Sequence, residues 1–276
     1  MTTVPLNDIR PGDLLLHASR GEISKLIQWV SDSDYSHVAF VYEAGLASEA
    51  ASGGVRYTVP LKERIEDKGQ HFHRIDVARP ASPDPIPPND LTALQKSAKN
   101  LQNGKFALNQ MFELGLICVV KNKVPRDTLT KMLLTWILND LISKDKDRLV
   151  CSEYIFRAFE GSGIARLTPV IKVSRPRPGR PFPSIDWYAL WKEYEGASHT
   201  EPPAVASEIL RLARLERVDD DVAANVDMSY RKALEDTQSL LRQVYFIKDP
   251  PANPELVLPE DFKESPSFKL LGTAVP

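Results

Sequence analysis

Short apolar runs separated by turn residues fill the first part of the chain and predict a β-sheet. The run "DLLLHA" (Asp13–Ala18) follows a Pro-Gly turn, and "SHVAFVYE" (Ser36–Glu43) is almost continuously apolar. Such a run, rich in Val, Phe and Tyr, is typical of a buried central strand. Two extended segments follow around a glycine turn at Gly53 and Gly54, and the alternating "HFHRIDVAR" predicts a further strand. One helix, in "EISKLIQWVS", interrupts this series of strands.

Helical periodicity replaces the strand pattern after the proline-rich connection "RPASPDPIPPND". Apolar residues at helical spacing predict helices at 91–101, 108–120, 128–143 and 152–161. A second proline-rich connection, "SRPRPGRPFPS", precedes a short amphipathic segment, "IDWYALWKEYE". We therefore expect an α+β fold with an antiparallel sheet, and this part of the chain, residues 1–196, is predicted to be one domain.

The character of the chain changes again beyond about residue 197. Two amphipathic helical patterns, "PAVASEILRLARLE" and "MSYRKALEDTQSLLRQV", are followed by a polar, proline-rich end. We expect residues 197–276 to form a helical and Pro-rich C-terminal extension, in which the polar stretch of residues 248–268 lies extended on the surface or is partly disordered.

Composition narrows the classes of function. A net charge of −2 over 276 residues gives no support for a nucleic-acid binder. Two cysteines cannot build a disulfide framework, and with five scattered histidines they form no recognisable zinc set, so we expect no metal or organic cofactor. Asp8 and Arg10 interrupt any signal-peptide core, and no apolar run is long enough for a transmembrane segment. We expect a cytoplasmic protein, with signal-independent secretion as an effector left open.

Candidate chemistry centres on Cys151 in the stretch "DRLVCSEYIF". This cysteine lies at the predicted start of a helix, where backbone N–H groups and the helix dipole favour a thiolate and offer an oxyanion hole. The alternative is a buried core thiol, since free cysteine is among the most buried residue types. Cys118, inside the apolar "GLICVV", fits that alternative better.

A histidine and a carboxylate could serve the thiol. His37 stands at the entrance of the buried strand, and Glu49 lies in the next extended segment, so antiparallel pairing could project both from one face. Glu43 ends the same strand as His37 and lies some 20 Å away along it, at about 3.3 Å per residue, which is too far. Glu49 is therefore preferred as the group that orients the imidazole.

The remaining histidines are weaker candidates for a functional site. His71 and His73 alternate along a strand and could suggest a metal pair, but no carboxylate cluster or third ligand lies near them in sequence. They fit solvent-facing strand residues better. His17 follows the first apolar run, close to the expected cleft, and is given no role.

Four segments in this order have a familiar arrangement: "RPGDLLLHASRG", "SDSDYSHVAFVYE", "SEAASGGVR" and "LVCSEYIFRAF". Together they resemble the circularly permuted branch of NlpC-type papain-like cysteine hydrolases, which includes YiiX-like proteins and, more distantly, lecithin:retinol acyltransferase. In that branch the histidine strand comes first, the polar third residue next and the cysteine helix last. The resemblance covers roughly residues 8 to 195. Where relatives carry a tyrosine patch ahead of the cysteine, this chain has Phe106.

The resemblance implies a permuted papain-like fold with Cys151 as nucleophile, His37 as general base and acid, and Glu49 as the residue that orients His37. The expected reaction is hydrolysis of an amide or ester bond through an acyl-enzyme, as in a peptidase, an amidase or a lipid acyl hydrolase. Its substrate would be a peptide, an amide or an acyl ester. The alternative is a non-catalytic binding module on the same scaffold, with the C-terminal helices binding a protein partner.

Overall fold

We analysed a computed structural model of the 276-residue chain. It describes residues 2–30, 33–51, 54–66, 71–102, 105–106, 148–149, 151–171, 257–276 and the single positions 183, 184, 186, 189 and 193. The predicted helices at 108–120 and 128–143, Cys118 and the helical patterns between 197 and 256 lie outside these residues. Among the described residues, no helix has both the length and the apolar character needed to cross a membrane.

A seven-stranded sheet forms the centre of the described structure. Its strands are β1 (Thr3–Pro5), β2 (Leu14–Ser19), β3 (His37–Glu43), β4 (Leu46–Ala51), β5 (Gly54–Pro60), β6 (Phe72–Pro80) and β9 (Phe268–Val275), in the spatial order β1-β9-β6-β2-β3-β4-β5. The strands predicted from the apolar runs are confirmed, with β3 buried in the interior of the sheet. Two short parallel strands, β7 (Lys105–Phe106) and β8 (Arg148–Leu149), form a separate pair.

The helices are α1 (Glu22–Val30), α2 (Leu61–Ile65), α3 (Pro88–Asn100), α4 (Cys151–Gly161) and α5 (Pro259–Glu264). Helix α3 begins at Pro88, three residues before the predicted start, because a proline fits the first turn, where no backbone donor is needed. Helix α4 contacts β3 and β4, as expected for the cysteine-bearing helix. The α+β class is therefore confirmed for the described residues.

The prediction of a purely antiparallel sheet is wrong. Strand β9 runs antiparallel to β6 but parallel to β1, with Thr3 opposite Thr273 and Pro5 opposite Val275. The sheet is mixed because the end of the chain returns to its beginning and runs in the same direction as β1.

The expectation for the polar, proline-rich stretch of residues 248–268, that it lies on the surface or is partly disordered, is wrong at its described end. Phe262 of α5 is fully buried, and Phe268 begins β9, which continues to Val275 inside the sheet. The described residues 268–275 thus pair with β1 and β6 from the first part of the chain. The boundary near residue 197 stays a prediction, because residues 194–256 are outside the described part.

Two apolar layers cover the two faces of the sheet. Alternate residues of β2 and β3, such as Leu16 and Val38, pack with α4 on one face, while Leu15 and Ala39 pack with Leu61 of α2 on the other. Burial of each large apolar side chain contributes about 1.5–3 kcal/mol, so rotation of α4 or α2 against the sheet would be costly. Both helices are therefore held in fixed positions relative to the end of β3.

Residue 193, near the end of the predicted first domain, contacts the start of α1. The Glu193 carboxylate accepts hydrogen bonds from the backbone N–H groups of Glu22 (2.7 Å) and Ile23 (3.1 Å). A carboxylate at this place satisfies donors that have no partner within the helix.

Candidate active site

Cys151 is the first residue of α4, as the sequence predicted, and its side chain is buried. Burial alone would raise the pKa of its thiol. The positive field and hydrogen bond of His37, with backbone N–H groups of Val38 and Ser152, outweigh burial and lower that pKa below its ordinary value. The surroundings of this thiol therefore favour the thiolate, unlike those of a thiol packed only in hydrocarbon.

His37 opens β3 and connects the thiol to a carboxylate. Its Nε2 lies 2.6 Å from Glu49 Oε2, so the hydrogen bond with Cys151 falls to the other ring nitrogen, Nδ1. Burial alone would lower the imidazole pKa, but the thiolate of Cys151 and the carboxylate of Glu49 raise it to about 9. The geometry favours a thiolate–imidazolium pair at neutral pH.

Glu49 lies on β4 and is almost fully buried. Strands β3 and β4 pair antiparallel, as the sequence argument required for Glu49 to reach His37. Burial would raise the pKa of the carboxyl group, but His37 and Arg64 hold it well below its usual range. Glu49 is therefore a permanent acceptor, which fixes the ring of His37 with Nε2 as the donor.

Two arginines that sequence reasoning missed complete the surroundings of Glu49. Arg64 of α2 donates from Nη1 to Oε2 and from Nη2 to Oε1, both at 2.7 Å, and Arg56 of β5 donates from Nη2 to Oε1 at 2.6 Å. A buried carboxylate needs such partners because an unpaired buried charge is strongly destabilising. The five-residue helix α2 has no sequence pattern that predicts a functional role. Its "KER" shows only that a cation follows β5 closely in the chain.

His17, which was given no role, lies inside the same cluster. It stands directly opposite His37 in the β2–β3 pair, with ring centroids 5.1 Å apart. Its Nε2 lies 3.1 Å from Nη1 of Arg64, and the ring is fully buried beside Phe72. The register of two neighbouring strands was the missing information, since it brings both histidines to one end of the sheet.

The site lies at the end of the sheet, where its two faces meet. By strand alternation, His37 and Glu49 project to the face covered by α2, whereas α4 packs on the opposite face. The hydrogen bond between Cys151 and His37 is possible because each is the first residue of its element. The thiol therefore reaches the imidazole around the end of β3.

Other candidate residues do not join this cluster. His71 and His73 lie near the start of β6, and no group of three or more His, Cys, Asp or Glu side chains in the described part of the chain could hold a metal ion. The side chain of Phe106 is outside the described residues, so the substitution of phenylalanine for tyrosine stays a sequence observation.

Comparisons with known proteins give little beyond this geometry. No protein-family model and no curated protein matches the chain. A solved structure described as the metalloprotein yiiX from Escherichia coli O157:H7, DUF1105, aligns over 97% of this chain and 99% of that chain, with 16% identity and a TM-score of 0.46. At that TM-score the similarity carries no argument about chemistry, and the site must be judged on its own residues.

Proposed function

We propose that this protein is a thiol-dependent hydrolase that cleaves an amide or ester bond through an acyl-enzyme, with Cys151 as nucleophile. The observation that carries the proposal is the grouping of three side chains: His37 Nε2 lies 2.6 Å from the buried carboxylate of Glu49, and the same imidazole lowers the pKa of the Cys151 thiol. A nucleophile next to a base that is itself oriented by a third group is the general arrangement of covalent acyl transfer.

The proposed reaction begins with attack of the Cys151 thiolate on the substrate carbonyl carbon. The C–S bond forms as the carbonyl electrons move to oxygen, which faces the backbone N–H groups at the start of α4. The tetrahedral intermediate then collapses, and the imidazolium of His37 gives its proton to the departing amine or alcohol. The products of this half are the thioester and a neutral His37.

Water completes the cycle. Neutral His37 takes a proton from the water as its oxygen attacks the thioester carbonyl, and the thiolate leaves. The carboxylic acid product departs, and the thiolate–imidazolium pair is restored. Glu49 accepts from Nε2 throughout, so the ring keeps Nδ1 directed at the sulfur.

The order of the parts along the chain supports a circularly permuted NlpC-type papain-like scaffold. The histidine strand β3 precedes the glutamate strand β4, and the cysteine helix α4 follows both. This is the order of the family that the sequence resembles. The substrate class that follows is a peptide, an amide or an acyl ester.

Thiol alkylation across pH tests the proposal. The full-length protein is treated with iodoacetamide at a series of pH values, and the modified cysteine is located by peptide mass spectrometry. We expect Cys151 to react well below the ordinary thiol pKa of about 8.5, with Cys118 as an internal reference. Reaction only near that pH, or first at Cys118, would favour the non-catalytic binding module.

Substrate trapping follows from the same proposal. Cys151→Ala protein, incubated with a cell extract and recovered, should retain an amide- or ester-containing molecule that the active protein converts. Retention of the same molecule by active protein, without conversion, would contradict hydrolysis.

A further inference from the structure

Two buried histidines of the site face each other but have opposite partners. His17 and His37 are directly opposed in the β2–β3 ladder. The Nε2 atom of His37 meets the carboxylate of Glu49 at 2.6 Å, whereas the Nε2 atom of His17 meets a guanidinium nitrogen of Arg64 at 3.1 Å. The same ring atom is therefore beside an acceptor in one histidine and beside a donor in the other.

The contact with Arg64 determines the protonation of His17. A guanidinium has donors only and stays charged, so the ring nitrogen facing it must be the acceptor. His17 is then neutral, with its proton on Nδ1. Its full burial lowers its pKa well below the ordinary value, and the charges of Arg64 and His37 lower it further.

The same guanidinium also holds Glu49, the carboxylate that accepts the hydrogen bond of His37. Arg64 donates one hydrogen bond from each terminal nitrogen to each oxygen of Glu49, in the bidentate geometry that arginine and carboxylate favour. Its side chain is only 9% exposed, and its guanidinium stacks 5.5 Å from the centre of the Phe72 ring. Arg64 is thus held between rings and carboxylate, with little freedom to move into solvent.

The charged and titratable groups around the two rings come from several elements. They are Cys151 of α4, Glu49 of β4, Arg56 of β5 and Arg64 of α2, together with the histidines themselves on β2 and β3, while β6 contributes the ring of Phe72. Apart from His37 itself, Arg64 is the group among these that contacts both His17 and the carboxylate that orients His37.

From this geometry we infer that Arg64 is a positioning residue that directs the proton of the histidine pair onto His37 and withholds it from His17. The inference rests on the proposed function, because a proton on His37 is needed for the leaving group. A proton on His17 instead would place a second cation 5.1 Å from the ring centre of His37. Such a cation would oppose the imidazolium and thereby the thiolate.

Imidazole NMR of full-length protein labelled with ¹⁵N-histidine tests this assignment, since the chain has only five histidines. In the unmodified protein we expect His17 to stay the neutral Nδ1–H tautomer between about pH 5 and 9, and His37 to titrate with a pKa of about 9. His17→Gln and His37→Gln spectra assign the two signals.

Arg64→Gln should change both histidines. We expect His17 to gain a titration within that pH range. Its charge should oppose the imidazolium, so the pKa of His37 should fall and the pH midpoint of Cys151 alkylation should rise by about one unit, a 10-fold change in the ratio of thiolate to thiol. Arg56→Gln is the matched control, because Arg56 also donates to Glu49 but has no contact with His17. Unchanged tautomers in Arg64→Gln, or equal changes in Arg56→Gln, would overturn the inference.

A second variant keeps the test decisive if Arg64→Gln does not fold. In His17→Gln the side-chain amide oxygen can accept from Arg64 without ever becoming charged. We expect Cys151 of this variant to keep its alkylation rate near pH 7 within roughly 3-fold, less than half a pKa unit. A loss as large as that of His37→Gln would mean that His17 takes part in the chemistry, and the inference would fail.

The two proposals fail in different ways. If Cys151 of the unmodified protein reacts only like an ordinary thiol, the hydrolase proposal fails while the histidine spectra still decide where the proton lies. If Cys151 is reactive and Arg64→Gln leaves the spectra unchanged, only the role of Arg64 is lost.

Discussion

Glu49 and Asp76 are both buried carboxylates, but they belong to clusters with different chemistry. Asp76 of β6 accepts from the hydroxyls of Tyr35 (2.6 Å) and Thr273 (2.7 Å) and pairs with Arg74 Nε at 2.8 Å. Glu49 is likewise surrounded by donors from neighbouring elements. Both satisfy the requirement that a buried charge be paired and hydrogen-bonded.

The difference lies in what stands beyond the carboxylate. The partners of Asp76 are phenol, hydroxyl and guanidinium groups, and burial and Asp76 raise the pKa of Tyr35 far above its usual value. None of these groups changes charge near neutral pH. Glu49 instead contacts an imidazole that reaches a thiol. A buried carboxylate surrounded by donors is thus present both in the structural cluster of Asp76 and in the candidate site. The candidate site differs because its carboxylate contacts the titrating pair of His37 and Cys151.

The largest expected effect comes from breaking the titrating pair itself. His37→Gln removes the charge and the hydrogen bond that lower the pKa of Cys151. The thiol should return to an ordinary pKa of about 8.5 or higher, at which about 1% is thiolate at pH 6.5. Alkylation of Cys151 at that pH should therefore slow roughly 10- to 100-fold, measured by mass spectrometry. An unchanged rate would mean that the helix start alone activates the thiol.

The second-largest effect is expected at Asp76 and tests whether the Asp76 and Glu49 clusters are independent. Asp76→Asn leaves Arg74 without its buried partner and weakens the link to β9, so the free energy of unfolding should fall by roughly 2–4 kcal/mol. Urea denaturation measures the loss. Alkylation of Cys151 in the folded variant should keep its pH profile. If the profile shifted, the clusters would not be independent.

A smaller effect concerns the contact between the elements that carry Cys151 and Glu49. Tyr154 of α4 and Ser48 of β4 share a buried hydrogen bond of 2.6 Å. Tyr154→Phe should cost about 1–2 kcal/mol of unfolding free energy, because it leaves the Ser48 hydroxyl unpaired. The double variant Ser48→Ala/Tyr154→Phe should cost less than the sum of the single variants. Strict additivity in denaturation experiments would argue against the bond.

The smallest effect is expected at the exposed edge of the Glu49 cluster. The side chain of Arg56 is 50% exposed, so solvent screens its ion pair with Glu49. Arg56→Gln should change the free energy of unfolding by no more than about 0.5 kcal/mol. A thermal-unfolding shift as large as that of Asp76→Asn would show that Arg56 stabilises Glu49 as strongly as a buried partner does.

The sequence predicted the parts of the structure whose signals are local. The apolar run of β3, the start of α4 at Cys151 and the antiparallel β3–β4 pair follow from residue patterns over a few positions. His37 and Glu49 could therefore be selected together, and Glu43 rejected on distance along one strand.

Long-range pairing produced the features that the sequence did not reveal. Strand β9 has no hairpin partner, since it pairs with β1 and β6 from the other end of the chain. Arg64 and His17 join the site through the packing of α2 and the β2–β3 register, neither of which has a sequence signature. The position of Cys151 and His37 around the end of the sheet depends on the same three-dimensional arrangement.

Direct titration of the Cys151 thiol is the measurement closest to the central claim. The ultraviolet absorbance of the thiolate is followed against pH in the full-length protein, and the curve of the Cys151→Ala variant is subtracted. We predict a Cys151 transition clearly below the ordinary thiol pKa of about 8.5, and its shift upward in His37→Gln. A transition at or above that value in the unmodified protein would contradict a thiolate–imidazolium pair and with it the proposed hydrolase.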